Sequence, residues 1–299
     1  MGSYKTVALA GATGAVGAPV LQALLDANFT VTALTRESST STFPTSVKVV
    51  KVDYDNVDNL TAALQGQDVL ISTMGTAAIG QQVNLVDAAI AAGVKRLIPS
   101  EFGNDLSLPK LRQLPVYAQK VQIEEDIEKK CRGTGTTYTF IFTNAFLDWS
   151  LDNNFSMDLR NKKIELFDGG DVSFATTPLP MVAKGTVAVL HKAAETENRA
   201  VRIQGTAITQ KKLFGIAQRV VGKDGWTITE ADTADRERQS YENLKNDPGN
   251  VFGWVIGFLQ RAVWGEGYGG DFSKDNDNEL LGLKELSEEE VEDIVRSRA

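Results

Sequence analysis

The chain has 299 residues, a formal net charge of −8 and no basic run, which excludes a nucleic-acid surface built on counterion release. A single cysteine, Cys131, and a single histidine, His191, exclude an internal disulfide and a Cys/His metal cage, so no metal is expected. The length suits one large domain with a smaller appendage, expected to act on a small molecule, away from membranes, as a monomer or homodimer.

Met1 to Lys5 leads straight into a short apolar run rather than a signal-peptide core, so a cytoplasmic location is expected. The first half then alternates apolar runs with helical patterns, the signature of βαβ units and a parallel sheet covered on both faces. Strands are predicted at Thr6–Ala10, Thr30–Thr35, Val47–Val52, Val69–Ser72, Arg96–Pro99 and Thr137–Phe142. The intervening helices are predicted at Val16–Ala27, Val57–Leu64, Gly80–Ala92 and Val116–Lys130. Gly103–Pro115, with two prolines, reads as a loop over the sheet edge. After Asn144 the alternation breaks down and aromatic residues gather, among them Phe146, Trp149, Phe155, Phe167 and Phe174.

A helix over Pro180–Ala194 and a strand at Val201–Gln204 suggest that the chain revisits the first layer. Val251–Trp264 reads as a core helix or pocket wall, too short for a bilayer, which needs roughly 20 apolar residues. Gly265–Asn278, rich in Gly, Asp and Asn, reads as a mobile loop with Trp264, Tyr268 and Phe272 facing substrate, and Ser287 with Glu290 forms a capping box. The predicted fold is α/β, a Rossmann-type doubly wound parallel sheet with a smaller C-terminal region. Residues 1–150, with a return strand near 201–204, are expected to form the nucleotide-binding domain of that fold, and residues 151–299 the substrate-binding region.

The strongest local signal is Gly11-Ala12-Thr13-Gly14-Ala15-Val16-Gly17, directly after the first strand and before the first helix. Gly11 allows a tight turn, Gly14 lets the backbone approach a pyrophosphate, and Gly17 allows close helix–strand packing, while the helix end offers free N–H groups. The second signal stands about 20 residues on, where an acidic residue would hold the ribose of NAD and an Arg accommodates the phosphate of NADP. That position is Arg36. Glu37 follows, so a one-residue shift would reverse the inference, but Ser38 and Ser39 add hydroxyls, and the expected cofactor is NADP(H). Because ligands of open parallel sheets bind beyond the strands' carboxyl ends, Thr73-Met74-Gly75 and Ser100-Glu101-Phe102-Gly103 are further cofactor candidates, Ser100 and Phe102 foremost in the second segment.

The glycine turn, Arg36, the block from Asp87 to Gly103 containing Ala92-Gly93-Val94-Lys95-Arg96-Leu97-Ile98-Pro99-Ser100-Glu101-Phe102-Gly103, and Lys120 together resemble the isoflavone reductase-like branch of the NmrA-like family. That branch belongs to the atypical short-chain dehydrogenases. The resemblance is densest over residues 4–150, and Pro178–Leu190 and Asn278–Gly282 look like segments of fungal members. It implies an NADPH-dependent reductase of phenolic or polyketide-like secondary metabolites, with Lys120 near both nicotinamide and substrate. The family also implies an alternative, an NADP(H)-binding redox sensor that regulates a protein partner without catalysis.

Hydride transfer needs a proton donor or cation near the oxygen on which charge builds, a role open to Lys120. Tyr117 lies three residues earlier, on the same helix face, but its spacing departs from the Tyr-x-x-x-Lys of ordinary short-chain dehydrogenases. Lys120 is therefore the expected catalytic residue, acting on a small aromatic or conjugated carbonyl or enone. Asn144 is expected at the cofactor, and Phe102, Phe146, Trp149 and Phe174 at the substrate. His191, lacking an orienting partner, is expected to be structural, and Cys131 to be a buried small residue. The carboxylates of Asp271, Asp275, Asp277 and Glu279 lack the glycine and spacing of a calcium loop.

Overall fold

The computed structural model describes residues 4–299. In chain order its first elements are β1 (Thr6–Ala10), α1 (Gly17–Asp26), β2 (Thr30–Arg36), β3 (Lys48–Val52), α2 (Val57–Leu64), β4 (Val69–Ser72), α3 (Gln82–Ala91) and β5 (Arg96–Ile98). There follow α4 (Pro109–Arg112), α5 (Ala118–Cys131), β6 (Thr137–Phe142), α6 (Leu147–Asp152), β7 (Lys163–Phe167), β8 (Ser173–Thr176), α7 (Leu179–His191) and β9 (Arg199–Arg202). The chain closes with β10 (Thr206–Thr209), α8 (Gln210–Val221), β11 (Thr227–Ala231), α9 (Thr233–Asn246), α10 (Val251–Trp264), α11 (Asn278–Leu281) and α12 (Glu288–Arg296).

Seven strands form a parallel sheet in the order β3-β2-β1-β4-β5-β6-β9. Strands β1 and β4 are apolar on both sides because helices cover both faces. On one face α1 and α7 bury Val20, Leu24, Val182 and Val189 against Val7, Leu9, Val31 and Ile71. On the other, α2, α3 and α5 bury Leu60, Leu64, Leu85, Ile123 and Ile127 against Ala8, Leu34, Leu70 and Phe140. The chain reverses direction across the sheet between β1 and β4, which opens a crevice at their carboxyl ends.

The amino ends of the central strands are held by one carboxylate. Asp68 accepts from the Lys5 and Thr6 amides at 2.8 and 3.1 Å and pairs with Lys95 at 2.7 Å. Partial burial pulls its pKa upward, but the Lys95 ammonium and the two amides outweigh this and hold it down at about 2. A carboxylate depressed in the folded state stabilises above its unfolded pKa and loses that contribution as pH falls. Asp68→Asn is therefore expected to lower the unfolding free energy by about 1–2 kcal/mol at neutral pH. The difference should vanish as pH falls from near 4 to about 2, as urea titrations of both proteins would show.

Strand β9, predicted at Val201–Gln204, lies two residues earlier and pairs in parallel with β6, Phe140 opposite Ala200. The stretch from Gly103 to Pro115 is not loop throughout: Pro109 starts the single turn α4, and Pro115 starts a 3-10 turn reaching Tyr117. Beyond Asn144 the sequence pattern hides most elements. Parallel β7–β11 and antiparallel β8–β10 are two-stranded, and β11 is largely exposed on both sides, so no apolar alternation marks it. Here a third core surrounds Trp264, whose ring stacks on Phe167 at 4.8 Å and Phe155 at 4.9 Å and meets Phe174 edge-on at 6.0 Å. Helices α9 and α10 form an antiparallel hairpin, Tyr241 edge-on to Phe258 at 4.9 Å.

The segment Gly265–Asn278, expected to be mobile, is tied down along its length. Gly270 O accepts from Ala175 N and from Asn144 Nδ2, both at 2.6 Å, Asp271 accepts from Ser173, and Asp277 pairs with Arg199 at 2.6 Å. Its polar residues serve as partners for other elements, which composition cannot distinguish from solvation. Ser287 and Glu290 form the predicted capping box at α12. No helix of the described residues is long and apolar enough to cross a membrane.

Candidate active site

The crevice at the β1–β4 switch point continues into a groove of about 860 Å³. Gly11, Thr13 and Gly14 line it together with Arg36 at the end of β2 and Thr73, Met74 and Gly75 after β4. Each glycine of the turn has a separate reason. Gly11 has φ +80°, and a Cβ there would lie 2.8 Å from Thr73 O; a Cβ on Gly17 would lie 2.0 Å from Gly11 O. Gly14 differs, since its nearest protein atom would be Gly11 O at 3.3 Å, so bareness at Gly14 leaves room in the groove rather than in the fold. Helix α1 has no side-chain cap and no acidic residue in its first turn, which leaves its terminal N–H groups and positive dipole end for an anion. The residues therefore fit a dinucleotide pyrophosphate. Ala15, Val16 and Gly17 shape the turn without lining the groove.

Arg36 is exposed at the end of β2, and among the described residues its guanidinium enters no ion pair. The following turn is closed by Lys51 Nζ, which donates to the carbonyls of Arg36 and Ser39. Ser39 and Ser41 face the groove, whereas the predicted Ser38 does not, because the turn rotates it outward. Tyr54 supports this end from below, donating to Leu34 O at 3.0 Å; burial pushes its phenol up to about 12 although Arg36 pulls the other way. The far wall comes from the start of α10, Val251, Phe252 and Val255, with Phe252 83% exposed at the rim.

A second cavity of about 240 Å³ adjoins the groove, and Thr76 and Val255 line both. Its apolar surface comes from Phe102, Phe146, Trp149, Phe155, Leu259 and Val263, and its polar surface from Lys120, Glu101, Asn104, Tyr117 and Asn144. The predicted Lys120, Phe102, Phe146, Trp149 and Asn144 thus meet in one wall. Asn144 lies in this cavity rather than the dinucleotide groove. Ser100 reaches neither: its hydroxyl donates to Met74 O at 2.8 Å and its amide to Gln82 Oε1 at 2.8 Å, fixing the β4 and β5 ends to each other. Phe174, expected at the substrate, is 1% exposed and packs against Trp264 instead. Trp264, Tyr268 and Phe272 are buried in the cores for the same reason, that the Gly265–Asn278 segment folds inward.

Lys120 stands in the first turn of α5, its Nζ donating to Glu101 O at 2.5 Å and lying 3.7 Å from Glu101 Oε2. Tyr117 is buried in the preceding turn, and its hydroxyl donates to Asn104 Oδ1 at 2.5 Å. Asn104 Nδ2 donates in turn to Asn144 Oδ1 at 2.9 Å, and Asn144 Nδ2 to Gly270 O at 2.6 Å. This chain commits the only proton of Tyr117 to the protein, and burial beside Glu101 pushes its phenol further up. Of the two, only Lys120 retains donors for a ligand. Phe102 and Asn144 both have positive φ, +33° and +52°, and their strands are locked where Gly103 O accepts from the Thr143 and Asn144 amides.

Asn104 escaped the sequence reading as a site residue, Glu101 was expected at the cofactor and lines this second cavity instead, and Val255 and Leu259 were expected only as part of a core helix or pocket wall. The apolar i, i+4, i+8 spacing of Val255, Leu259 and Val263 was a signal, but it equally describes a core stripe. His191 ends α7 and packs on Phe29 at 5.7 Å, while burial pushes the Cys131 thiol up to about 11, away from thiolate reactivity. Among the described residues no group of three His, Cys, Asp or Glu could hold a metal.

This geometry coincides with what comparison finds. The model of the NmrA-like family matches residues 3–226. Oxidoreductase aprR of Aspergillus flavus is 32% identical over 293 residues, covering 95% of this chain and 96% of that one. Oxidoreductase poxI of Penicillium oxalicum is 31% identical over 293 residues, covering 94% and 91%. The structure of the leucoanthocyanidin reductase–NADPH complex of Vitis vinifera aligns with a TM-score of 0.80 at 21% identity, over 98% of this chain and 99% of that one, a likeness of fold. With the family model spanning the seven-stranded sheet, the glycine turn and Lys120, and with two relatives matched nearly end to end, this chain belongs to the NmrA-like family.

Proposed function

We propose that the chain is an NADPH-dependent reductase that converts a small aromatic or conjugated carbonyl or enone, in the manner of the isoflavone reductase-like branch. The observation that carries this reading is the placement of Lys120 in the wall of an apolar, aromatic-lined cavity that joins the dinucleotide groove at Thr76 and Val255. Two full-length relatives named as oxidoreductases and a neighbour of the same fold bound to NADPH support it.

When bound, the dihydronicotinamide supplies a hydride to an electrophilic carbon. The Gly11–Gly17 turn and the α1 terminus hold the pyrophosphate, and Arg36 with Ser39 and Ser41 holds the ribose phosphate. Phe102, Phe146 and Trp149 give a flat ring an apolar lining that disfavours water, which strengthens charge interactions inside the cavity. Lys120 neutralises the charge growing on the substrate oxygen and delivers the proton.

Purified protein mixed with NADPH and benzalacetone, a single-ring enone, should oxidise the cofactor and yield the reduced compound. Tight dinucleotide binding with no turnover across phenolic ketones and enones would transfer the reading to a redox sensor with a protein partner. Arg36→Ala should raise the NADPH dissociation constant at least about tenfold, the worth of one charge-assisted contact, and leave NADH binding unaltered. Calorimetry with both cofactors measures this, and an unchanged preference would remove Arg36 from the phosphate site.

A further inference from the structure

Behind Lys120 lies a group of carboxyl side chains that the reduction as described does not use. Glu101 is 1% exposed at its side chain, lines the cavity, and has neither carboxyl oxygen in a hydrogen bond. Glu124, one turn beyond Lys120 on α5, is 5% exposed, its Oε2 paired with Arg112 at 3.0 Å and its Oε1 without a partner. Arg112 divides its charge, since its other nitrogen pairs with Glu125 at 2.6 Å. Two buried carboxyls therefore share Lys120 and part of one Arg112. A fully ionised, unbonded carboxylate in such a place costs several kcal/mol, whereas the carboxylic acid avoids most of that cost.

We propose that Glu101 is the proton store for Lys120, passing its carboxyl proton to the amine once Lys120 has given its own to the substrate. The inference rests on the reductase reading above. As the hydride pair arrives at the electrophilic carbon, the C=O π pair moves onto oxygen, and an O–H bond forms as a Lys120 N–H bond breaks. The neutral amine then takes the proton of Glu101, whose O–H pair stays behind as carboxylate, and an ion pair replaces two neutral groups. Nζ and Oε2 stand 3.7 Å apart, short enough for transfer after a small side-chain movement. Water returns the proton to Glu101 when product leaves. Recharging inside the cavity lets Lys120 begin each cycle as an ammonium without opening the site during chemistry.

The electrostatics support this. Burial raises Glu101, more strongly than Lys120 and Arg112 lower it, and burial with the neighbouring Glu101 charge raises Glu124. The groups facing Glu101 are Lys120 and Glu124 from α5, Arg112 from α4 and Tyr117 from the turn between them; α10 contributes only Val255, Leu259 and Val263 to the cavity. A carboxyl raised in this way holds its proton to higher pH than an exposed glutamate and loses it as pH rises, so the basic limb of the kcat profile should report the store.

The test combines infrared spectroscopy of the free protein with kinetics. The wild type at pH 7 should show carboxylic C=O absorption that shifts in heavy water, with a component that Glu101→Gln loses and Glu124→Gln retains. Absence of that component overturns the proposal without any substrate. With NADPH and benzalacetone, Glu101→Gln should lose roughly a hundredfold in kcat, with KM little altered and the basic limb gone. A Glu101→Gln protein with wild-type kcat and pH profile also overturns it. Full activity in Lys120→Ala would instead sink the underlying reductase mechanism, so the two failures are separable.

Discussion

Lys120→Ala should lower kcat for NADPH-dependent reduction of benzalacetone by roughly a hundred- to ten-thousandfold, the usual contribution of a positioned proton donor. NADPH affinity should hold, because Lys120 lines the second cavity and not the dinucleotide groove. The competing donor is already engaged: the Tyr117 hydroxyl donates to Asn104 at 2.5 Å, and Asn104 is held by Asn144 and thereby by Gly270. Tyr117→Phe should accordingly cost far less in kcat than Lys120→Ala. Lys120→Arg separates charge from proton donation, since a guanidinium keeps its charge but does not give up a proton. If charge alone mattered, Arg would restore most of the rate; proton delivery predicts that it does not. Stopped-flow oxidation of bound NADPH reads the chemical step directly, and wild-type rates in Lys120→Ala would remove the residue from the mechanism.

The second large effect separates two glycines three residues apart. Gly14→Ala should raise the NADPH dissociation constant about a hundredfold, near 2.7 kcal/mol, with little change in thermal stability. Its new methyl would sit 3.3 Å from Gly11 O and otherwise point where the pyrophosphate must approach. Gly17→Ala reverses the pattern. There the methyl would lie 2.0 Å from Gly11 O and 2.7 Å from Thr73 Oγ1, so α1 must move off β1, at a cost of about 3 kcal/mol. Calorimetric melting with and without NADPH distinguishes them: Gly14→Ala melts normally but loses the stabilisation by ligand, and Gly17→Ala melts low in both conditions. Equal NADPH affinity in Gly14→Ala and wild type would mean that the turn does not hold the pyrophosphate.

Much of this site was legible because its parts are local. Strand, glycine turn and helix follow one another within 6–26, and Arg36 ends the next strand, so one unit of chain carries the pyrophosphate and ribose readings together. Lys120 was visible through resemblance, not pattern, since a lysine near the start of an amphipathic helix ordinarily faces solvent. The contacts that give it a role were hidden. Glu101 touches it across 19 positions, and the Asn144–Gly270 contact spans 126. The failure at Phe174 is instructive: an aromatic residue in a short strand suits a pocket or a core equally, and its edge-on contact with Trp264 decided for the core.

The doubly wound sheet, the glycine turn between β1 and α1 and the lack of residues for a Cys/His metal cage followed from the sequence, because these depend on short-range periodicity, glycine sterics and residue counts. Tertiary structure alone decided that the 265–278 segment is anchored, that α10 walls both cavities, and that the Tyr117 hydroxyl is engaged by Asn104. Hydrogen-bond saturation and burial belong to pairs of residues far apart along the chain, and no window of sequence contains both members of such a pair.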